Sequence, residues 1–551
     1  MQPTIRSLGS ELTTGFRLAT NLLDIQWIPV RHTSGKISRI SPYQIAERSD
    51  DEPVALAFPR PDFNGSILQL LIGLFQTCCP PETEGDWARK VTSRFTRDAL
   101  TAAFAPFREA FVLDRVDGPC FMQDFDPALE GAEMPINRLL IDQPGEQGEK
   151  QNKDHFVHRS ASFNLCPVCA TVALFSLQLN APSGGQGHRT SLRGGGPLTT
   201  LIVEDTLFGT IWSNVVPRSH FVLGKWQQIP ACTDHVFPWL GETRVSSDDQ
   251  IVTLDDVSPL AVFWAAPRRI RLNYVENLDG SCCSLCASSA TTLAASYVMK
   301  AYGANYQSPP WRHPLSPHFL DKEGLSRPVH FYDSGAGYRE WAGFVASEGQ
   351  NCLSLNVAVA KARDLFGENS QCRFSIFGYQ MDNMKAVQWH QAEMPFLRIS
   401  PEHATTYDEI IRSLVIATDE SAKMLYSCVK SAQFSERTEV RGDLNYPKVQ
   451  LWEKTESPFF EMLRVCRAQL ESKTFDRTTA LESWLETLRR TAFDIFSLMI
   501  FSGDLSSMDM KRAFVAESRL RMALGPKARK LREKLGLPLP EPKKKKKDRL
   551  V

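Results

Sequence analysis

The sequence predicts an α+β fold, a mixed α/β N-terminal domain carrying a structural metal site and followed by a C-terminal four-helix bundle. Three observations lead there. Up to about residue 400, Pro, Gly, Trp and β-branched residues are interleaved in short segments: Ile25–Arg31, Val262–Leu272 and Cys372–Tyr379 are patterned as strands, Ser66–Thr77 and Ala170–Leu179 as short helices. Beyond it, four segments at approximately 404–434, 449–473, 478–501 and 505–535 carry apolar residues at helical spacing; in the third, Leu481, Trp484, Leu485, Leu488, Ala492, Ile495 and Met499 follow i, i+3, i+4, i+7. The connections are short, a loop 435–448 with Gly442 and Pro447, then Ser502-Gly503, so each stripe can find a partner in the next helix. Four helices packed separately on the α/β body are the alternative. The division is an extension at 1–20, the α/β domain at 21–400, the bundle at 401–536 and a basic tail at 537–551.

With 551 residues, 42% hydrophobic and 10% aromatic, the chain can bury several cores. The longest apolar runs, such as Ala492–Phe501, are interrupted by Asp494 and fall short of the ~20 residues needed to cross a bilayer. Met1–Thr20 lacks an apolar signal-peptide core. The expectation is a soluble, cytoplasmic protein with no membrane partner, whose thirteen cysteines are reduced thiols rather than a disulfide framework. Lys+Arg and Asp+Glu balance at 63 each, which argues against a uniformly basic nucleic-acid coat. The balance hides a dipole: Lys511–Val551 holds fifteen Lys/Arg against four acids, net +11, leaving −11 on residues 1–510.

The sharpest local signal is a pair of knuckles, Cys166-Pro-Val-Cys169 and Cys283-Ser-Leu-Cys286, with Cys282 as a neighbour. Two thiolates three positions apart can bite one zinc ion, and two such bites complete a closed four-cysteine structural site stapling distant segments. The competing reading takes Cys166 and Cys169 alone as a thiol-redox centre, since a CxxC opening a helix lowers a thiol pKa; it lacks a βαβ context and leaves the second knuckle unexplained. A Gly-rich stretch, Ala181–Pro197, offers backbone amides that can approach phosphates or a groove floor, with Arg189 and Arg193 as candidate phosphate contacts. It is neither a P-loop nor a dinucleotide fingerprint, and a flexible loop without chemical consequence is the plainer alternative. Arg268, Arg269 and Arg271, behind Phe263 and Trp264, form a basic cluster that by itself reads as a strand with a solvated face. HExxH, GxSxG and Walker A patterns are missing, and no residue is assigned a catalytic role.

In order and spacing these motifs resemble the CasA family, the large subunit of the type I-E CRISPR Cascade surveillance complex. The resemblance is carried by Asn21–Val30, Asp142-Gln-Pro-Gly145, both knuckles, Ala181-Pro182, Ser191–Gly195, Phe263-Trp264 and Trp311–Pro317. It runs from about residue 21 to the end of the bundle. It implies a non-enzymatic subunit that finds the protospacer-adjacent motif (PAM) in double-stranded DNA, starts strand separation and docks the helicase-nuclease. The family's Gly loop, entering the minor groove, falls on Ser183, Gly184, Gly185 and Gln186; its lysine finger on Lys300; its strand-separating wedge on Asn383, beside Asp382 and Met381. Leu139, Leu140, Ile141 and Asp142 match the segment that meets the guide RNA 5′ handle and a neighbouring Cascade subunit, and Cys166, Cys169, Cys283 and Cys286 match the zinc ligands. The bundle meets the small subunits and DNA. Ser183 and Gln186 stand where better-known relatives have glycine, and Asn383 is shorter than the glutamine of the wedge, changes that bear on PAM preference and wedge reach.

A minor groove distinguishes mainly A·T from G·C, so a backbone-rich loop with one long cation gives permissive readout while guide pairing supplies sequence specificity. The basic end should assist nonspecific duplex association. Each neutralised phosphate adds about 0.9 to the log–log salt slope, so deleting 543–551 should flatten the salt dependence of duplex binding, and an unchanged slope would make the tail a solvated appendage.

Overall fold

Helix α1 (Pro61–Cys78) shows how the N-terminal body is built. Pro61 opens it where a missing N–H costs no helical bond, and nearly every side chain from Phe63 to Thr77 is buried, so the helix runs through the core. Helix α5 (Pro167–Asn180) is equally submerged and lies against it, with Ser66 donating to Ser176 (3.0 Å). Both are longer than their expected segments, α1 by six residues and α5 by four. A computed structural model of the chain describes residues 20–151, 163–185, 187–247, 250–306, 311–331, 337–339, 351–352, 354–362, 372–382, 384–395, 397, 399–434, 444–502, 509–526 and 528–539. The expected extension up to Ala19 and the lysine tail 543–547 lie outside them, as do Gln186 and Asn383.

The shorter helices of the body are α2 (Glu84–Ser93), α3 (Arg97–Phe104), α4 (Glu146–Lys150), α6 (Leu207–Ser213) and α7 (Leu355–Ala362). Around them, among the described residues, stand four three-stranded antiparallel sheets. The first, ordered β2-β1-β3, joins β1 (Ile28–His32), β2 (Ile37–Ile40) and β3 (Pro53–Leu56); the second, β4-β7-β6, joins β4 (Ala132–Pro135), β6 (Arg269–Glu276) and β7 (Thr292–Lys300). The third, β10-β8-β9, joins β8 (His318–Leu320), β9 (Ser326–Pro328) and β10 (Asn351–Cys352); the fourth, β12-β11-β5, joins β5 (Thr199–Val203) to the hairpin of β11 (Arg373–Asp382) and β12 (Lys385–Pro395). The strand expected over Val262–Leu272 is corrected. Pro259–Phe263 is a 3-10 turn, and the strand starts only at Arg269, after Pro267. The apolar residues that suggested a strand are core instead: Trp264 is fully buried and its indole donates to Thr77 (3.0 Å).

The C-terminal helices are α8 (Ala404–Gln433), α9 (Tyr446–Glu471), α10 (Arg477–Phe501), α11 (Met510–Leu524) and α12 (Arg529–Leu535). The first three match the expected segments closely, but α9 begins inside the expected loop, with Pro447 in its first turn. The single fourth helix expected over 505–535 is two helices, parted at Gly525-Pro526. Leu414, Leu425, Phe459, Leu463, Trp484, Leu488, Ile495 and Leu520 meet in one core that also takes Ile202, Phe374 and Ile376 from β5 and β11. Tyr338 enters the same core, stacked on Phe459 (4.1 Å between centroids) with its hydroxyl within hydrogen-bond reach of Thr418 (3.0 Å) and Thr455 (2.9 Å). Helices and sheet therefore share buried surface.

Trp484 has no exposed area and donates to the Leu414 carbonyl (3.1 Å). Trp484→Ala should cost about 3–5 kcal/mol in denaturant unfolding of the helical part, through cavity formation and one orphaned carbonyl.

Candidate nucleic-acid interface and metal centre

Cys166 caps α5 and accepts a hydrogen bond from the Cys169 N–H (3.4 Å), so both thiols stand at the helix N-terminus. Cys283 and Cys286 lie on the connection between β6 and β7. A tight turn shapes it: the Cys283 N–H donates to the Ser288 carbonyl (3.0 Å), Ala287 donates back to Cys283 (2.9 Å), and Ala287 takes a positive φ of 55°. The two segments are sewn together by Ser284 N–H to Asn164 O (2.8 Å) and by mutual bonds between Leu165 and Ala294 (2.9 and 2.8 Å). As a result all four sulfurs lie within 4.8 Å of one another, and Cys166 and Cys286 stand 3.8 Å apart. A tetrahedral ion with Zn–S bonds of about 2.3 Å spaces its sulfurs by about 3.8 Å, so the cluster has the size of a closed metal site. The hydrogen bonds that the four thiols share hold Cys283 and Cys286 below the usual thiol range and Cys166 and Cys169 above it, as in a cluster in which the sulfurs share protons. Cys282 is exposed and stands outside the cluster.

From Cys166, α5 runs to the Gly-rich stretch. Ser183, Gly184 and Gly185 are exposed on a small turn in which Gly184 N–H bonds His188 O (3.3 Å) and His188 N–H bonds Gly185 O (3.2 Å), with Gly185 at φ 95°. From the far end of β7 the Tyr302 N–H reaches the Gly187 carbonyl (2.7 Å). Lys300, exposed as the last residue of β7 opposite Arg269, lies two residues before that bond. The second half of the stretch is not a flexible loop. Ser191 and Gly196 donate to the carbonyls of Ala181 (3.0 Å) and Asn180 (3.1 Å), and Gly196, at φ 60°, packs where a Cβ would collide with the Tyr379 carbonyl.

Both arginines expected to meet phosphates are engaged internally. Arg193 is buried and its guanidinium donates to Gln69 (2.5 Å), Thr199 (3.1 Å) and Ser316 (2.8 Å), so its assignment as a phosphate contact is corrected: a duplex has no access to it. Burial pulls its pKa down to about 9. Arg189 is held by the side chain (2.7 Å) and carbonyl (2.8 Å) of Ser246. The basic cluster 268–271 also turns inward rather than presenting a solvated face. Arg269 pairs with Asp124 (2.7 Å), and the buried Arg271 donates to the carbonyls of Gly118 and Asp124 (3.2 Å each).

Leu139 and Leu140 are likewise core residues; of the expected RNA-facing segment only Asp142 is exposed and Ile141 half-buried. Asp142 pairs with Arg60 (3.0 Å), which also grips the buried Asp62 (2.9 and 3.0 Å), and the Tyr379 hydroxyl donates to Asp62 (2.6 Å). Burial, with Asp62 beside it, pushes the Tyr379 phenol well above its ordinary pKa. Three residues beyond Tyr379, Asp382 ends β11, exposed and opposite Lys385, with Met381 half-buried beside it. The sequence reading missed Gln178, Arg268 and Tyr302, which hold the Gly turn in place. Of these only Arg268 carried a signal, as part of the basic cluster.

Four converging thiols within a mixed α/β body, leading to a glycine turn and joined to long C-terminal helices, define an α+β protein with a candidate structural metal centre. A family model described as CRISPR-associated protein Cse1 matches residues 21–495. The chain belongs to the Cse1 family, that of CasA of type I-E Cascade. The fold is similar to Thermus thermophilus CasA (TM-score 0.66, 17% identity, 92% of this chain and 99% of that one covered). It is similar also to Thermobifida fusca Cse1 (TM-score 0.68, 15% identity, 94% and 98%) and to a chain of a CRISPR RNA-guided surveillance complex (TM-score 0.64, 15% identity, 92% and 99%). Among the described residues no helix is long and apolar enough to cross a membrane.

Proposed function

We propose that this chain is the DNA-recognition subunit of a type I-E surveillance complex, a non-catalytic protein that reads the PAM from the minor groove. The observation that carries this reading is the bond from the Tyr302 N–H to the Gly187 carbonyl, which ties the chain two residues beyond Lys300 to the chain two residues beyond the exposed Ser183–Gly185 turn. A turn with little side-chain bulk can enter a narrow groove, and a lysine beside it can meet acceptor atoms or phosphates. Gln186 belongs to the same turn in sequence. The β11–β12 hairpin, with Asp382 and Asn383, then acts as the wedge that begins strand separation; unstacking a step costs a few kcal/mol, which heteroduplex growth offsets. Asp142 and Ile141 meet the guide RNA 5′ handle and a neighbouring subunit. Helices α8 to α11 form a four-helix bundle that meets the small subunits and DNA, and the assembly docks a helicase-nuclease.

The four converging thiols bind a structural zinc ion. A redox dithiol at Cys166 and Cys169 would leave Cys283 and Cys286 without a role, although their sulfurs share the cluster. Zinc would hold the β6–β7 connection against the start of α5, and no chemistry passes through it.

The purified chain should contain about one zinc per molecule by elemental analysis, lost in Cys283→Ser; full retention in that variant would overturn the ligand set. In a reconstituted complex Gly185→Asp and Lys300→Ala should each weaken PAM-dependent duplex binding by about tenfold or more, a loss of 1.4 kcal/mol per decade, and unchanged affinity in both would remove these positions from the interface. Gly185 has open space around its Cβ position but a φ of 95° that strains a residue with a side chain, so the variant alters both the charge and the backbone of the turn.

A further inference from the structure

Arg268 lies beneath the exposed turn. Its backbone is clamped by Gln178, whose Oε1 accepts from the Arg268 N–H (2.9 Å) and whose Nε2 donates to the Arg268 carbonyl (2.9 Å). The neighbouring Pro267 carbonyl is pressed by Gly303, where a Cβ would collide with it. The stem is therefore fixed, and the guanidinium ends under the glycines: Nη2 donates to the Pro182 carbonyl (2.6 Å), and Nη1 lies 2.8 Å from where a Cβ on Gly184 would stand. Its Nε is buried without a partner among the described residues, as is Nδ1 of His188 on the same turn. Arg269 next to it has Asp124, but among the described residues no carboxylate pairs with Arg268. A largely buried, uncompensated cation is expensive, and burial pulls this one down to about 10.

We propose that Arg268 is a positioning residue for the DNA-reading turn: it sets the height of Gly184 and Gly185 and lends them a positive charge that flanking DNA phosphates, rather than a protein carboxylate, offset. This rests on the minor-groove reading above. It also explains why position 184 is glycine, since any Cβ there would displace the guanidinium and the His188 side chain.

The test uses the reconstituted complex, with a PAM-bearing duplex titrated over a range of salt and, separately, a single-stranded target complementary to the guide. Arg268→Met should weaken duplex binding about tenfold and lower its salt slope by up to about 0.9, while single-strand binding is unchanged. Arg268→Lys, which keeps the charge and a donor for Pro182, should retain most of the affinity. Gly184→Ala, which keeps the Arg268 residue but pushes its guanidinium aside, should show the same duplex-specific loss as Arg268→Met. Equal losses on duplex and single strand would make Arg268 merely structural and overturn the proposal. Unchanged duplex affinity in Arg268→Met, with Gly185→Asp still defective, would overturn it alone; unchanged affinity in both would overturn the minor-groove reading as well.

Discussion

The arrangement of the site depends on one constraint: helix α5 and the β6–β7 hairpin are tied together at both ends. At one end the four thiols and the Leu165–Ala294 bonds join the start of α5 to the hairpin connection. At the other, Gln178 and the Pro182 carbonyl hold Arg268, just before β6, while Tyr302, just after β7, holds Gly187. A cross-link that closes so long a loop removes much of the freedom its ends would otherwise have, and rigid elements carry that constraint to the far end. The turn is thus held against the ends of β6 and β7 by its own bonds, while the Leu165–Ala294 bonds fix the same elements at their far ends.

Buried polar groups shape the rest. The carboxylate of Asp62 is satisfied by Arg60 and Tyr379 together, so α1, the β11 strand and the 139–142 segment meet at one ion-paired point. Arg193 spends a full guanidinium on Gln69, Thr199 and Ser316. Such groups are costly to bury and costly to orphan, which makes them strong determinants of how segments meet. At the C-terminal end, much of the positive charge counted in the sequence is locally answered: Arg532 pairs with Glu482, Lys534 with Glu420 (2.6 Å), Arg521 with Glu517 (2.7 Å) and Arg529 with Glu533 (2.8 Å). Pairs exposed on both sides contribute roughly 0–1 kcal/mol each, and the consequence here is for the field: Glu482 and Glu420, which lie outside Lys511–Val551, stand against two of its charges.

What could be read along the chain was whatever is written in local periodicity. The stripe Leu481, Trp484, Leu488, Ala492, Ile495 is buried as its spacing required, and the strand Cys372–Tyr379 lies within one residue of β11 at its start. Errors arose where a local pattern has two physical meanings. The apolar run around Trp264 reads as a strand but packs as a 3-10 turn, because burial alone does not specify backbone period. Leu139 and Leu140 resembled an exposed contact segment and are core, and Arg193 carried a phosphate-binding residue type into the interior. Burial is a property of the fold, and a cation in a glycine-rich stretch looks the same from the sequence whether it faces solvent or Gln69.

By itself the sequence determined the residue types and spacings: two thiol pairs able to bite one ion, a turn without side-chain bulk, long amphipathic helices, and a charge surplus at one end. Tertiary structure alone decided which of these meet. It gathered four sulfurs within 4.8 Å and set Tyr302 against Gly187. It also slid Arg268 under Gly184 and turned Arg193 away from solvent. Helical and strand periods are short-range consequences of backbone geometry, whereas these encounters depend on antiparallel register and on helix ends meeting hairpin ends, which no local window contains.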